Sequence, residues 1–133
     1  MPLKIPLKIE AGKLKQFNNS DFISPANKTG LVNLVDSATI SIDASLGDTF
    51  IVTLNGNRIL GNPINAVSGQ KITFIIKQDN SGNRTLSFDN KYRFGTDLTS
   101  ITLTTTANKT DYIGVIYNGL DDKFDIVSFM KGY

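Results

Sequence analysis

The chain has 133 residues, a net charge of +2, no cysteine and no histidine. Those absences exclude a disulfide framework, a thiolate or imidazole metal centre, a cysteine nucleophile and a Ser-His-Asp triad. The length suits one domain of about 100–150 residues, and a 40% apolar content spread along the chain predicts folding rather than disorder.

The first 30 residues differ from the rest and are expected to form an extended N-terminal arm and connector, with a single β domain over 31–133. Pro2–Ile5 and Pro6–Ile9 repeat Pro-Leu-Lys-Ile, and prolines at that spacing forbid a helix. In an extended chain Leu3, Ile5, Leu7 and Ile9 form an apolar face, with Lys4 and Lys8 opposite. Such an arm must pack on something, and it reads as an anchor. Lys4, Lys8 and the prolines also interrupt any secretory leader, and no apolar run nears the roughly 18 residues of a membrane span, so synthesis in the cytoplasm without membrane insertion is expected. Residues 1–28 carry five lysines against Glu10 and Asp21, a local charge of +3 over a remainder of −1. That excess suits an acidic protein surface, nucleic acid or plain solvent; the small net charge makes nucleic acid the less expected partner. Gly12 to Gly30 mixes Leu14, Phe17, Phe22 and Ile23 with turn formers.

From Ala38 onward alternation predicts strands over Thr39–Ile42, Thr49–Leu54, Lys71–Ile76, Thr85–Phe88, Ser100–Thr104, Tyr112–Tyr117 and Phe124–Phe129. Asn55-Gly56 and Asn118-Gly119 are hairpin-type pairs, and Gly61-Asn62-Pro63, Ser68-Gly69 and Ser81-Gly82-Asn83 are further turns. Glu10 is the one glutamate, and β-branched residues abound. The expected fold is all-β: an antiparallel β-sandwich, jelly-roll-like, of about 7–8 strands.

No arrangement of residues points to catalysis, and no cofactor is expected. Asp121, Asp122 and Asp125, with Asp111 a strand earlier, can seat calcium or simply solubilise a turn. The turn from Gln78 to Thr85 reads as a tight hairpin in which Asp79 and Asn80 cap backbone donors and Arg84 pairs with Asp79. Its alternative is a ligand-binding loop, with Asp79, Asn80, Asn83 and Arg84 as polar contacts and Tyr92 as a stacking face for a sugar. Against that, Tyr92 and Phe94 share a strand face opposite Lys91 and Arg93, as in an ordinary half-buried strand.

The run of "TFIVTLNGN", "GQKITFIIKQD", "SGNRTLSF" and "TTTANKTDYIGVIYNG" resembles a module recurrent in tailed-bacteriophage virion proteins. Upstream, "GKLKQFNNSDFISP" is similar to the linker of phage tail, fibre and decoration proteins. The resemblance covers the chain from about Gly12 onward. It implies a small β-sandwich, usually a homotrimer, displayed on the virion as a fibre tip, tail component, head fibre or capsid decoration, with capsid or tail proteins as partners and no catalytic residues. Two departures stand out: many such modules carry a tryptophan near Phe88–Phe94, which this chain lacks, and the arm is short, which favours a compact decoration or adaptor. The competing reading is a carbohydrate-binding adhesion module for host-surface glycan.

Overall fold

The computed structural model describes residues 30–133, and alternation in the sequence translates directly into burial there. In β3 (Thr49–Leu54) Phe50, Val52 and Leu54 are buried while Thr49, Ile51 and Thr53 turn away from the core. In β5 (Lys71–Gln78) Ile72, Phe74, Ile76 and Gln78 are buried in the same rhythm. The other strands are β1 (Val32–Asn33), β2 (Thr39–Ile40), β4 (Arg58–Leu60), β6 (Leu86–Phe88), β7 (Tyr92–Arg93), β8 (Thr110–Asn118) and β9 (Lys123–Met130). Among the described residues there is no helix.

The strands form a six-stranded sheet in the order β1-β3-β5-β8-β9-β7 and a three-stranded sheet in the order β2-β4-β6. The chain therefore alternates between sheets: β1, β3 and β5 are successive parallel neighbours in one, and β2, β4 and β6 in the other. This is a short parallel winding of three rungs. Val32, Phe50 and Phe74 stand in register on successive rungs, so one rung takes roughly 20 residues, a typical repeat length for stacked β coils. A third side is stitched by the parallel bridge Asp43 to Ile64. Like stacks on like inside. Phe50 meets Phe74 with ring centroids 6.0 Å apart, and Ile40 stands beside Leu60. One core cluster draws on both sheets.

β8 and β9 then close the far end of the six-stranded sheet as an antiparallel hairpin against β5. Asn118-Gly119 lies at that hairpin, as its sequence predicts. A bulge leaves Val127 outside the pairing between Ile126 and Ser128.

The all-β class holds, but the expected antiparallel, jelly-roll-like wiring is corrected. Five of the seven strand pairings are parallel. Asn55-Gly56 does not make a hairpin; it turns the corner from β3 to β4 in the other sheet. The same holds for the 79–85 turn, which leads from β5 to β6. Nine strands are present among the described residues, with β1, β4 and β7 too short to show in the alternation. Ser100–Thr104 is not a strand. It runs irregularly with Leu103 buried, because side chains rather than a ladder hold it. Gln78 Nε2 donates to Thr104 O at 2.8 Å, Thr104 N donates to Asp111 Oδ2 at 2.7 Å, and Lys131 Nζ donates to Thr102 O.

Gln78 is the clearest single brace. Its Oε1 accepts from Arg84 N, and its Nε2 donates to Arg84 O and Thr104 O, all at 2.8–2.9 Å. A neutral amide supplies both donor and acceptor, so it can be fully satisfied when buried. Gln78→Ala should lower unfolding stability in urea by about 2–3 kcal/mol, from orphaned backbone partners, whereas exposed Asn80→Ala should stay within about 0.5 kcal/mol.

Candidate functional site

The corner after β5 holds four of the residues expected to contact a ligand. Asp79 Oδ1 accepts from Ser81 N and Gly82 N at 3.1 and 3.0 Å, which folds the turn on itself. Arg84 closes it as a fork on the same carboxylate, with Nη2 to Oδ2 at 2.8 Å. The Arg84 guanidinium holds Asp79 below the usual carboxylate range, and Asp79 raises Arg84 in return. Asn83 sits in the left-handed region at φ 60°, which asparagine tolerates. Asn80 and Asn83 are exposed, and neither side chain hydrogen-bonds among the described residues.

This corner is one of three stacked along the winding. One rung below, Arg58 forks Asp36 with Nε to Oδ1 at 2.8 Å and Nη2 to Oδ2 at 2.9 Å. Asn55 N also donates to Asp36, and Asn57 Oδ1 accepts from Thr85 N on the next rung. The Asp36 carboxyl is held low chiefly by its hydrogen bond from Arg58. Pairing on a ridge of this kind positions corners. It leaves the amides of Asn80 and Asn83 as the groups not engaged internally.

Tyr92 does not join that loop. It is 8% exposed, and its hydroxyl donates to Gly61 O at 2.9 Å. Its ring lies 5.3 Å from Phe88 and 5.7 Å from Phe124, and burial pushes the phenol well up. By register β7 lies level with the Tyr117 end of β8, near the start of β5, whereas Asp79 follows the end of β5. Its backbone hydrogen-bond acceptor is tightly placed too: a Cβ on Gly61 would come within 2.6 Å of Ile40 O.

The acidic group at the last hairpin is a charge network. Arg93 forks Asp125, with Nε to Oδ1 at 2.6 Å and Nη2 to Oδ2 at 3.0 Å, and reaches Asp121 at 3.1 Å. Lys91 meets Asp122 at 2.8 Å, and the Tyr117 hydroxyl donates to that carboxylate. Lys91 and Tyr117 hold Asp122 low, while Asp125 and then Asp121 raise Arg93. With two cations among three acids, the cluster ties β7 to the hairpin. Among the described residues no group of three or more His, Asp or Glu side chains is placed to hold a metal ion.

The feature that sequence reasoning missed is an open groove of about 650 Å³ on the first rung, lined by Val32, Leu34, Val35, Leu46 and Ile64 with Asp43 among them. Val35 is 77%, Leu46 63% and Ile64 59% exposed. Apolar residues in turn-rich, non-alternating stretches were its only signal. The arm residues Leu3, Lys4, Ile5, Leu7, Lys8 and Ile9 lie outside the described residues.

The paired carboxylates fix an acid response. Asp36, Asp79 and Asp122 all titrate lower in the folded chain than the ordinary value of 3.8. Their contribution is complete above that value and is lost as pH falls toward their folded values. With no histidine, the thermal midpoint should stay level between about pH 5 and 8 and drop below about pH 4. Circular-dichroism melts check this, and Asp36→Asn should show a shallower acid drop.

Comparison with known proteins adds the context for this geometry. A family model described as "Putative phage tail fibre C-terminal domain" matches residues 38–122, from just before β2 into the β8–β9 turn. No curated protein and no solved structure matches the chain. A domain of that type is a structural component of a phage virion. The match spans more than half of the chain, from residue 38 to residue 122, and the chain therefore belongs to the phage tail fibre C-terminal domain family.

Proposed function

We propose that the chain is a non-enzymatic tail-fibre module that trimerises through the outer face of its six-stranded sheet and is held on the particle by its N-terminal arm. The observation that carries this reading is a row of side chains on the face turned away from the core. Register sets Ile51, Ile75, Tyr112 and Met130 side by side across β3, β5, β8 and β9. Tyr133 packs edge-on against Tyr112, with centroids 5.4 Å apart. The adjoining row is Thr49, Thr73, Gly114 and Ser128, small and uncharged. These two rows carry no charge, with exposed Lys71 and Lys77 flanking them on β5, and aromatic and methionine side chains framed by polar ones have the composition of an interface centre.

Placement on the tail is supported by the family match, which weighs against a head fibre or capsid decoration. Anchoring is supported by the alternation of Leu3, Ile5, Leu7 and Ile9 with Lys4 and Lys8, which suits addition of an extended segment to the sheet edge of another tail protein. A structural role without catalysis is supported by the absence of histidine and cysteine and by the pairing of Asp36, Asp79, Asp121, Asp122 and Asp125. Host-glycan adhesion draws support from the exposed amides of Asn80 and Asn83 but loses its stacking ring, since Tyr92 is in the core.

Light scattering on the full chain at micromolar concentration should give three times the mass of one chain. Ile75→Lys with Tyr112→Lys should give a monomer with an unchanged circular-dichroism spectrum. A monomer without substitution removes the trimer, and a trimer in the double variant removes this face as its interface.

A further inference from the structure

Asparagine followed by glycine is prone to spontaneous deamidation, because the bare glycine lets its backbone nitrogen reach the side-chain carbonyl carbon of the asparagine. The sequence holds two such pairs, Asn55-Gly56 and Asn118-Gly119. The fold treats them in opposite ways.

At the β8–β9 turn every group the reaction needs is engaged. Asn118 Oδ1 accepts from Leu120 N at 3.0 Å and from Asp121 N at 3.2 Å, and its Nδ2 donates to Asp121 Oδ2 at 3.3 Å. The nitrogen that would attack, Gly119 N, donates to Ser68 Oγ at 3.1 Å. A Cβ on Gly119 would come within 2.7 Å of Ser68, so the neighbouring loop lies close against the turn. Ring closure at Asn118 must therefore break the side-chain turn and the bond to Ser68 together.

The corner between β3 and β4 is held through other groups. Asn55 N donates to Asp36 Oδ2 at 3.1 Å, and Arg58 forks the same carboxylate. The Asn55 side chain is exposed, and among the described residues neither it nor Gly56 N has a hydrogen-bond partner. Packing also explains why the glycine is kept. A Cβ on Gly56 would come within 2.5 Å of Arg58 Nη1 and push against the guanidinium that grips Asp36.

We propose that Asn55 is a site of spontaneous deamidation in the folded chain and that the turn around Asn118 shields that residue from it. Gly56 N gives up its proton to hydroxide and bonds to the side-chain carbonyl carbon of Asn55, and Nδ2 leaves as ammonia. One water then opens the succinimide ring to aspartate or isoaspartate, with nothing oxidised or reduced. Either product places a second carboxylate at the corner that Asp36 and Arg58 hold, and isoaspartate lengthens the backbone there by one methylene. The inference rests on neither the trimer nor tail placement.

The test is incubation of the full chain in mildly alkaline heavy-oxygen water, folded and in urea, with label uptake at each asparagine read by peptide mass spectrometry. In the folded chain label should enter at Asn55 at least about tenfold faster than at Asn118, since several hydrogen bonds guard the second site. In urea the two rates should converge. Comparable rates at the two sites in the folded chain overturn the proposal. So does a difference that persists undiminished in urea, which assigns its cause to neighbouring sequence instead of the fold.

Discussion

Phe50 packs on Phe74 because β3 and β5 run parallel and in register, and that register constrains every other contact in the winding. A slip of one residue would send Phe50, Val52 and Leu54 to the outside and bring Thr49, Ile51 and Thr53 into the core. Rungs differ in length, so the excess must be absorbed at the corners without shifting the strands. The corners are accordingly where the polar side chains are engaged. Asp36 and Arg58 tie the first rung to the second, Asn57 ties the second to the third through Thr85 N, and Asp79 with Arg84 closes the third on itself. These pairs are partly exposed, and each contributes modestly to stability. Their value lies in geometry: forked contacts fix where a corner sits relative to its neighbour.

Two glutamines finish what the ion pairs begin. Gln70, just before β5, donates to Ala44 O, Gly47 O and Asp48 Oδ1 and accepts from Val67 N. Gln78, at the other end of the strand, braces Arg84 and Thr104. β5 is thus fixed at both ends by side-chain amides, and it separates the parallel rungs from the antiparallel hairpin. A glutamate in either place would lose the donors, and a lysine would lose the acceptor. The uncharged amide is the side chain that can hold a loop backbone at a buried position without importing an unpaired charge.

Much of the strand inventory was legible in the sequence, while the wiring was not. Thr49–Leu54 and Lys71–Gln78 announce themselves by alternation, and the β8–β9 hairpin by Asn118-Gly119. Parallel and antiparallel neighbours impose the same period of two, however, so alternation carries no information on partner or direction. Asn55-Gly56 has hairpin chemistry but serves as a corner between two sheets, and neither residue takes the positive φ that a primed hairpin turn would use. Ser100–Thr104 alternates without pairing, since Gln78, Asp111 and Lys131 satisfy its backbone instead of a strand. Among the site residues, the Asp79–Arg84 pair was readable from spacing. The burial of Tyr92 was readable from its shared face with Phe94. The groove was not, because Val35, Leu46 and Ile64 come together only when rungs stack.

The same stacking governs how such a chain can associate. An open parallel edge invites another edge to continue it, and repetition of that contact yields an open filament rather than a closed assembly. Here β8 already occupies the outer edge of β5, so the run of parallel rungs in the six-stranded sheet ends there. Growth of that sheet by a further parallel rung is thereby blocked beyond β5. The broad outer face of the six-stranded sheet, where Ile51, Ile75, Tyr112 and Met130 line up across four strands, lies to the side of this stack. A face lying to the side of the stack can close around a rotation axis without adding rungs, which is the geometry that a finite fibre component requires.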